Sequence, residues 1–127
     1  MTDPVVRHTE DVSAVPCPCG KSTRLITAED DSPLSLHITH IEDGQEHFHE
    51  ITGEVYYVIE GEGVIELDGQ AREVKPGTAV YIPPGVAHGG AGGFTAVIAS
   101  SPPFDPDDEI VTDIEKSDRK PTHKNCN

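Results

Sequence analysis

The stretch Gly53-Glu-Val-Tyr-Tyr-Val-Ile-Glu-Gly61-Glu-Gly-Val-Ile-Glu-Leu-Asp-Gly69-Gln-Ala-Arg-Glu-Val74 decides the fold class. Residues 54–60, 64–67 and 71–74 are short runs rich in β-branched side chains. Gly61-Glu62-Gly63 and Asp68-Gly69 separate them. An Asp-Gly pair between two such runs is a strong hairpin signal, because both turn positions need positive φ. Outward from there the glycines keep time: Gly44, Gly53, Gly61, Gly69, Gly77 and Gly85 stand eight or nine residues apart. Residues 78–82 form another strand-like run before Pro83-Pro84-Gly85. Short strands at this spacing indicate a sandwich or barrel.

The rest of the chain agrees. Val and Ile total 22 and Leu and Met only 5, a ratio that suits pleated surfaces over helices. Eleven Pro and 12 Gly add turns. Residues 34–41 alternate with period 2, with Leu34, Leu36 and Ile38 on one face and Ser35, His37 and Thr39 on the other. Residues 22–27 and 94–99 read as further strands, and residues 109–114 as one that pairs once more. We expect residues 1–33 to be an N-terminal arm with one or two short strands, one of them at Val5-Val6. Residues 34–114 would form the barrel and residues 115–127 a polar, mobile tail.

Nine Lys and Arg against 23 Asp and Glu leave a net charge of −14. That excludes the clustered positive charge that nucleic-acid backbones and anionic membranes need. No apolar run approaches the ~20 residues of a membrane span, and residues 1–10 lack the apolar core of a secretory signal. The expected location is the cytoplasm, with reduced cysteines. A core this lean, in a chain of 127 residues, suggests a homodimer. We expect the arm residues Val5, Val6, Val12 and Val15 to extend a neighbour's sheet edge.

Four residues carry the candidate chemistry: His47, His49, Glu54 and His88. His47 and His49 are two apart, so on a strand they share a face, with Phe48 on the other. Glu54 opens the next strand after Thr52-Gly53, and His88 follows the Pro-Pro-Gly turn. A His-x-His pair alone is common on surfaces. Here the surroundings matter. Gly44-x2-His47-x-His49-x4-Glu54-x6-Gly61 closely resembles the first motif of the cupin family. Gly77-x5-Pro83-x-Gly85-x2-His88 closely resembles the second. The resemblance covers roughly residues 34–100 and implies an all-β double-stranded β-helix, the jelly-roll barrel. It also implies that His47, His49, Glu54 and His88 bind one divalent transition metal. Fe, Mn, Ni, Zn, Co and Cu all suit nitrogen and oxygen donors.

Three departures from the family pattern stand out: Gly92 where an Asn is frequent, Thr78 where an Asp is frequent, and a short loop at Asp43-Gly44-Gln45. The first makes residues 89–93 an expected looser loop, or one shaped to let something approach the backbone; none removes a ligand. The implied function is an enzyme acting on a small oxygen-rich molecule, either a dioxygenase or an isomerase or lyase working through an enediolate. The alternative is a non-catalytic cupin that binds a sugar or organic acid. Tyr56, Tyr57 and His40 are the weak catalytic candidates. Alternation lets only one of the two tyrosines face inward; His40 shares a face with Leu36 and Ile38 and either lines the pocket or sits at its rim. Arg24 and Arg72 are the cations that could meet an anionic substrate, with Arg72 better placed on the surface. Cys17, Cys19, His123 and Cys126 could form a second, zinc-type site, although reduced thiols in an arm and a tail are the plainer reading.

Overall fold

One strand, β9 (His88–Ser101), organises the barrel because it pairs with four others. The computed structural model describes residues 3–17 and 20–112. Its strands are β1 (Val15–Cys17), β2 (Gly20–Ile26), β3 (Ser35–Asp43), β4 (His47–His49), β5 (Gly53–Gly61), β6 (Gly63–Leu67), β7 (Gln70–Val74), β8 (Ala79–Ile82), β9 and β10 (Glu109–Val111). Three short 3-10 turns complete the described residues, which contain no α-helix. Residues 94–100 of β9 lie between β3 and β5, with Ile98 opposite both His37 and Tyr56. Residues 88–91 pair with β6, and His88 also opposes His47 of β4. All the pairings are antiparallel, and the sheet curls into an all-β jelly-roll barrel.

The turn chemistry is where the spacing places it. Asp68 and Gly69 both have positive φ, 50° and 82°, and close the β6–β7 hairpin with Leu67 opposite Gln70. The strand expected at 22–27 runs from Gly20, and the acidic turn after it is a 3-10 turn with a capping box between Thr27 and Asp30. The arm differs from expectation. Val5 and Val6 form no strand; the arm's strand is β1, which folds back on β2. Arg7 holds the arm to its own chain by a bidentate pair with Asp30 (2.7 and 2.8 Å) and a hydrogen bond to the Leu25 carbonyl.

The glycine run 89–93 is not a loose loop. It is the first half of β9, and its glycines let neighbouring backbones approach. A Cβ at Gly90 would press on Phe94 and Ile41, and one at Gly92 would meet the Gly63 backbone.

Inside the barrel, period-2 alternation separates two zones. The apolar zone contains Tyr56, Val58, Ile65, Ile82, Phe94 and Ile98. The second zone is polar: Ser22, Ser35, His37, Thr39 and Ser100 are all buried. Here the polar face of β3 points inward, and Leu36 and Ile38 point outward. The polar groups are satisfied, as burial demands: Ser22 Oγ and Thr39 Oγ1 lie 3.0 Å apart, and the Phe104 N–H donates to Ser35 Oγ. This inward polar face sets the zone apart from the apolar core.

Two glycines separate backbone strain from crowding. Gly61 has φ +79°, and a Cβ there would overlap the Gly93 carbonyl; Gly69 has φ +82° with open space around it. Gly69→Ala should cost about 1 kcal/mol from the left-handed backbone alone. Gly61→Ala should cost at least ~2 kcal/mol more in urea unfolding, since a backbone atom cannot swing aside. Equal losses would mean that the close approach of β5 and β9 is not tight.

Candidate metal centre

A strand of three residues carries two of the four candidate residues. β4 is only His47-Phe48-His49, with both histidines buried and Phe48 turned the other way. β9 aligns His88 opposite His47, and β5 brings in Glu54, whose register partners are Ile82 and Ser100. One ring nitrogen from each of His47, His49 and His88 falls within a 4.8 Å cluster. Glu54 Oε1 lies 3.2 Å from His88 Nε2 and 3.4 Å from His49 Nε2. The structure thus brings all four residues together, with Glu54 on the His49–His88 side.

The hydrogen bonds fix which nitrogen faces inward. His47 Nδ1 lies 2.8 Å from the Gln45 carbonyl, and His88 Nδ1 lies 2.9 Å from the Val86 carbonyl. A carbonyl can only accept, so each Nδ1 is a protonated donor, and Nε2 is the nitrogen left facing the centre. Backbone carbonyls holding the far nitrogen are a common support of metal-ligating histidines. The inward atoms, His47 Nε2, His49 Nε2, His88 Nε2 and Glu54 Oε1, are buried without a hydrogen-bond partner.

Burial pushes the His47 pKa down to about 3, aided by the neighbouring His88 charge. Burial also lowers His49, with Glu54 opposing the shift. Burial would raise the Glu54 carboxyl, but the His88, His49 and His47 rings that face it outweigh this and hold it below its usual value, so Glu54 stays a carboxylate. Three ring nitrogens and a carboxylate oxygen therefore converge, buried and without another partner, with two of the contacts at 3.2–3.4 Å. With the rings neutral and Nε2 unprotonated, such a set points its lone pairs at one place and suits a cation. Donors each ~2.1 Å from a common ion stand roughly 3.0–3.4 Å apart at octahedral to tetrahedral angles. The residues present fit a divalent ion.

Around this cluster the weaker candidates separate. Tyr56 is buried, with its ring 6.2 Å from that of His88, and burial, Glu54 and Glu109 raise its pKa well above the usual value. Tyr57 points to solvent and has no place in the site. His40 does not line the pocket either. It sits on the outer face, bonded to Thr95 Oγ1 (2.9 Å) and Glu42 Oε2 (2.7 Å), because the inward face of β3 is the polar one. Arg24 opposes His37 on the inner face, and its guanidinium carbon lies 5.4 Å from the centre of the Phe104 ring. That ring in turn meets His37 and His49 edge-on. Arg72 is exposed. Cys19, His123 and Cys126 lie outside the described residues, as does the side chain of Cys17.

Sequence reasoning missed three buried residues here. His37, lowered to about 4 by burial and the Arg24 charge, was signalled only by its polar neighbours on the strand. Asp108 accepts backbone N–H bonds from Glu50, Ile51 and Thr52 at 3.0–3.1 Å, pinning the C-terminal segment beside β4. Glu109 opens β10 directly opposite His49. Nothing local in Asp107-Asp108-Glu109 distinguishes these acids from the many exposed ones.

The depressed histidines make the metal-free chain acid-sensitive. Between pH 6.5 and about 4 the native state keeps His37 and His47 neutral while the unfolded chain protonates them. The unfolded state then binds more protons, so stability falls as pH falls, by up to ~1.4 kcal/mol per pH unit for each histidine. Urea midpoints of the metal-free protein should decline steadily from pH 6.5 to 4.5. A flat profile would show that these rings are not held neutral.

Known proteins share this fold. Residues 36–94 match the cupin domain family. A protein of known structure from Planctomyces limnophilus is 34% identical, with 85% of this chain and 96% of that chain aligned at a TM-score of 0.80. The ectoine synthase structure from P. lautus is 25% identical, covering 95% and 89% at a TM-score of 0.72. The L-ectoine synthase of Halomonas elongata is 48% identical over 65 residues, 48% of this chain and 47% of that protein. The matched segments span 34% to 47% of the curated relatives' own length. With its motif spacing, its barrel and these relatives in accord, the chain belongs to the cupin family.

Proposed function

We propose that this chain is a metal-dependent enzyme acting on a small, oxygen-rich, anionic molecule. One divalent transition-metal ion would be held by His47, His49, His88 and Glu54. The observation that carries the reading is the convergence of buried, unpartnered donor atoms, with His49 and His88 Nε2 3.2–3.4 Å from Glu54 Oε1. Bound there, the ion would supply Lewis acidity toward a developing oxyanion.

The remaining work falls to the chain. Arg24, on the inner wall beside Phe104, is the cation suited to a substrate carboxylate. Tyr56 stays protonated at neutral pH and can hold or deliver a proton at its phenol oxygen. The polar inner face of β3 offers hydroxyls to oxygen-rich ligands. A protonated donor beside the centre favours isomerase or lyase chemistry through an enediolate over a dioxygenase. The partial likeness to L-ectoine synthase supports an enzyme.

A second reading, a non-catalytic cupin that binds a sugar or organic acid, is favoured by one observation. His37 and His47 titrate near 4 and 3, and Tyr56 well above its usual range, so none of these three is poised near neutrality.

Elemental analysis of the purified protein should find one equivalent of a transition metal per chain and identify it. With a turned-over acid in hand, Tyr56→Phe should lower kcat by about 10²–10⁴ with KM little changed. Binding without turnover, unaffected by Tyr56→Phe, would establish the binding module instead. Oxygen uptake in step with turnover would favour the dioxygenase.

The reading includes a homodimer, by a route other than the arm. Val55, Tyr57, Ile59 and Tyr81 are exposed on the outer face of β5 and β8, with Val55 opposite Tyr81. These side chains are uncharged in a chain of net charge −14. A second copy docking this face on itself brings no like charges together, unlike contact elsewhere. Light scattering at micromolar concentration should give twice 13.6 kDa, and Tyr57→Glu should give the monomer. A wild-type monomer mass would exclude the dimer.

A further inference from the structure

We infer that Glu109, from the C-terminal strand β10, is an additional ligand of the proposed centre, lying beside His47 as Glu54 lies beside His49 and His88. This rests on the metal reading above and extends its ligand set beyond the four motif residues. Glu109 Oε2 lies 3.4 Å from His47 Nε2, the same separation as Glu54 Oε1 from His49 Nε2. Both side chains of the pair are deeply buried, at 6% and 1% exposure. The His47 ring donates from Nδ1 to the Gln45 carbonyl, so its Nε2 turns a lone pair, not a proton, toward Glu109. Nitrogen and carboxylate lone pairs at 3.4 Å are spaced as neighbouring donors of one cation.

The charges agree. Three neutral imidazoles and one carboxylate leave a divalent ion at a net charge of +1 in a buried site. A second carboxylate brings the cluster to zero, the form least costly to bury.

The backbone places this carboxylate deliberately. The 3-10 turn Pro106–Asp108 presents Asp108, whose carboxylate gathers the N–H groups of Glu50, Ile51 and Thr52. That anchor sets β10 in register with β4, Glu109 opposite His49 and Val111 opposite His47. Period-2 alternation then turns Glu109 inward. Asp108 is thus a positioning residue, and an ion at the centre would fasten β10 to the barrel.

The test is cobalt(II) binding to the metal-free full chain, followed by calorimetry and by the visible d–d bands. Wild type should take up one equivalent. Glu109→Gln should bind at least tenfold more weakly with altered band positions or intensity, and Glu109→Asp should fall between. Circular dichroism and urea midpoints of the metal-free variants control for folding. Hydrogen exchange provides a measurement on unmodified protein: cobalt should slow exchange of the Ile110 and Val111 amides in wild type and not in Glu109→Gln. Cobalt uptake by wild type, with the same affinity and spectrum in Glu109→Gln, overturns the Glu109 assignment alone. A wild-type chain that takes up no divalent ion overturns the centre itself and this assignment with it.

Discussion

Strand β9 exchanges backbone hydrogen bonds with β3 and β5 along one half and with β6 and β4 along the other. Every residue of the centre is referenced to that ladder. His88 is its first residue, His47 lies opposite His88, and Glu54 lies opposite Ser100, whose hydroxyl donates to Glu54 Oε2 at 3.4 Å. Because side chains alternate strictly along a strand, a one-residue slip would turn the whole set outward. The glycines of residues 89–93 let β6 and β3 close on β9 without Cβ collisions. Their cost in chain entropy is accepted where the barrel is tightest.

The same barrel must bury a cluster that opposes folding. Three imidazoles and two carboxylates occupy space that aliphatic side chains could fill with less desolvation. The depressed histidine pKa values report that cost. Local rules of stability are broken here, and such departures concentrate at functional sites. The backbone carbonyls of Gln45 and Val86, and the Asp108 carboxylate, hold these groups in one arrangement. An ion bound at the proposed centre would meet donors already held in place, which would lower the reorganisation that binding requires.

The two faces of the barrel wall serve different ends. Inward, β3 presents Ser35, His37 and Thr39; outward, the sheet presents Leu36, Ile38 and, on β5, Val55 and Tyr57. Along residues 35–39 this reverses the usual arrangement, while β5, β6, β8 and β9 keep apolar side chains inside. Among the described residues, no helix is long and apolar enough to cross a membrane.

Much of this was legible in the sequence because it depends on local rules. The Asp68-Gly69 hairpin, the glycine-spaced strands and the inward pair His47 and His49 around Phe48 follow from turn chemistry and period-2 alternation. Those act over a few residues and need no knowledge of the rest of the chain. Alternation alone could not say which face of β3 is interior, so the side on which His40 and His37 fall was decided only when the sheet closed. Nor could it show that residues 89–93 continue a strand, since glycine marks a loop unless another backbone presses against it. Glu109 is the clearest case. It stands 55 residues beyond Glu54 in the chain, among exposed acids. Only the antiparallel pairing of β10 with β4, held by Asp108, carries it to His47. Strand pairing across that separation is set by the global packing of the barrel, and no local feature of the sequence encodes it.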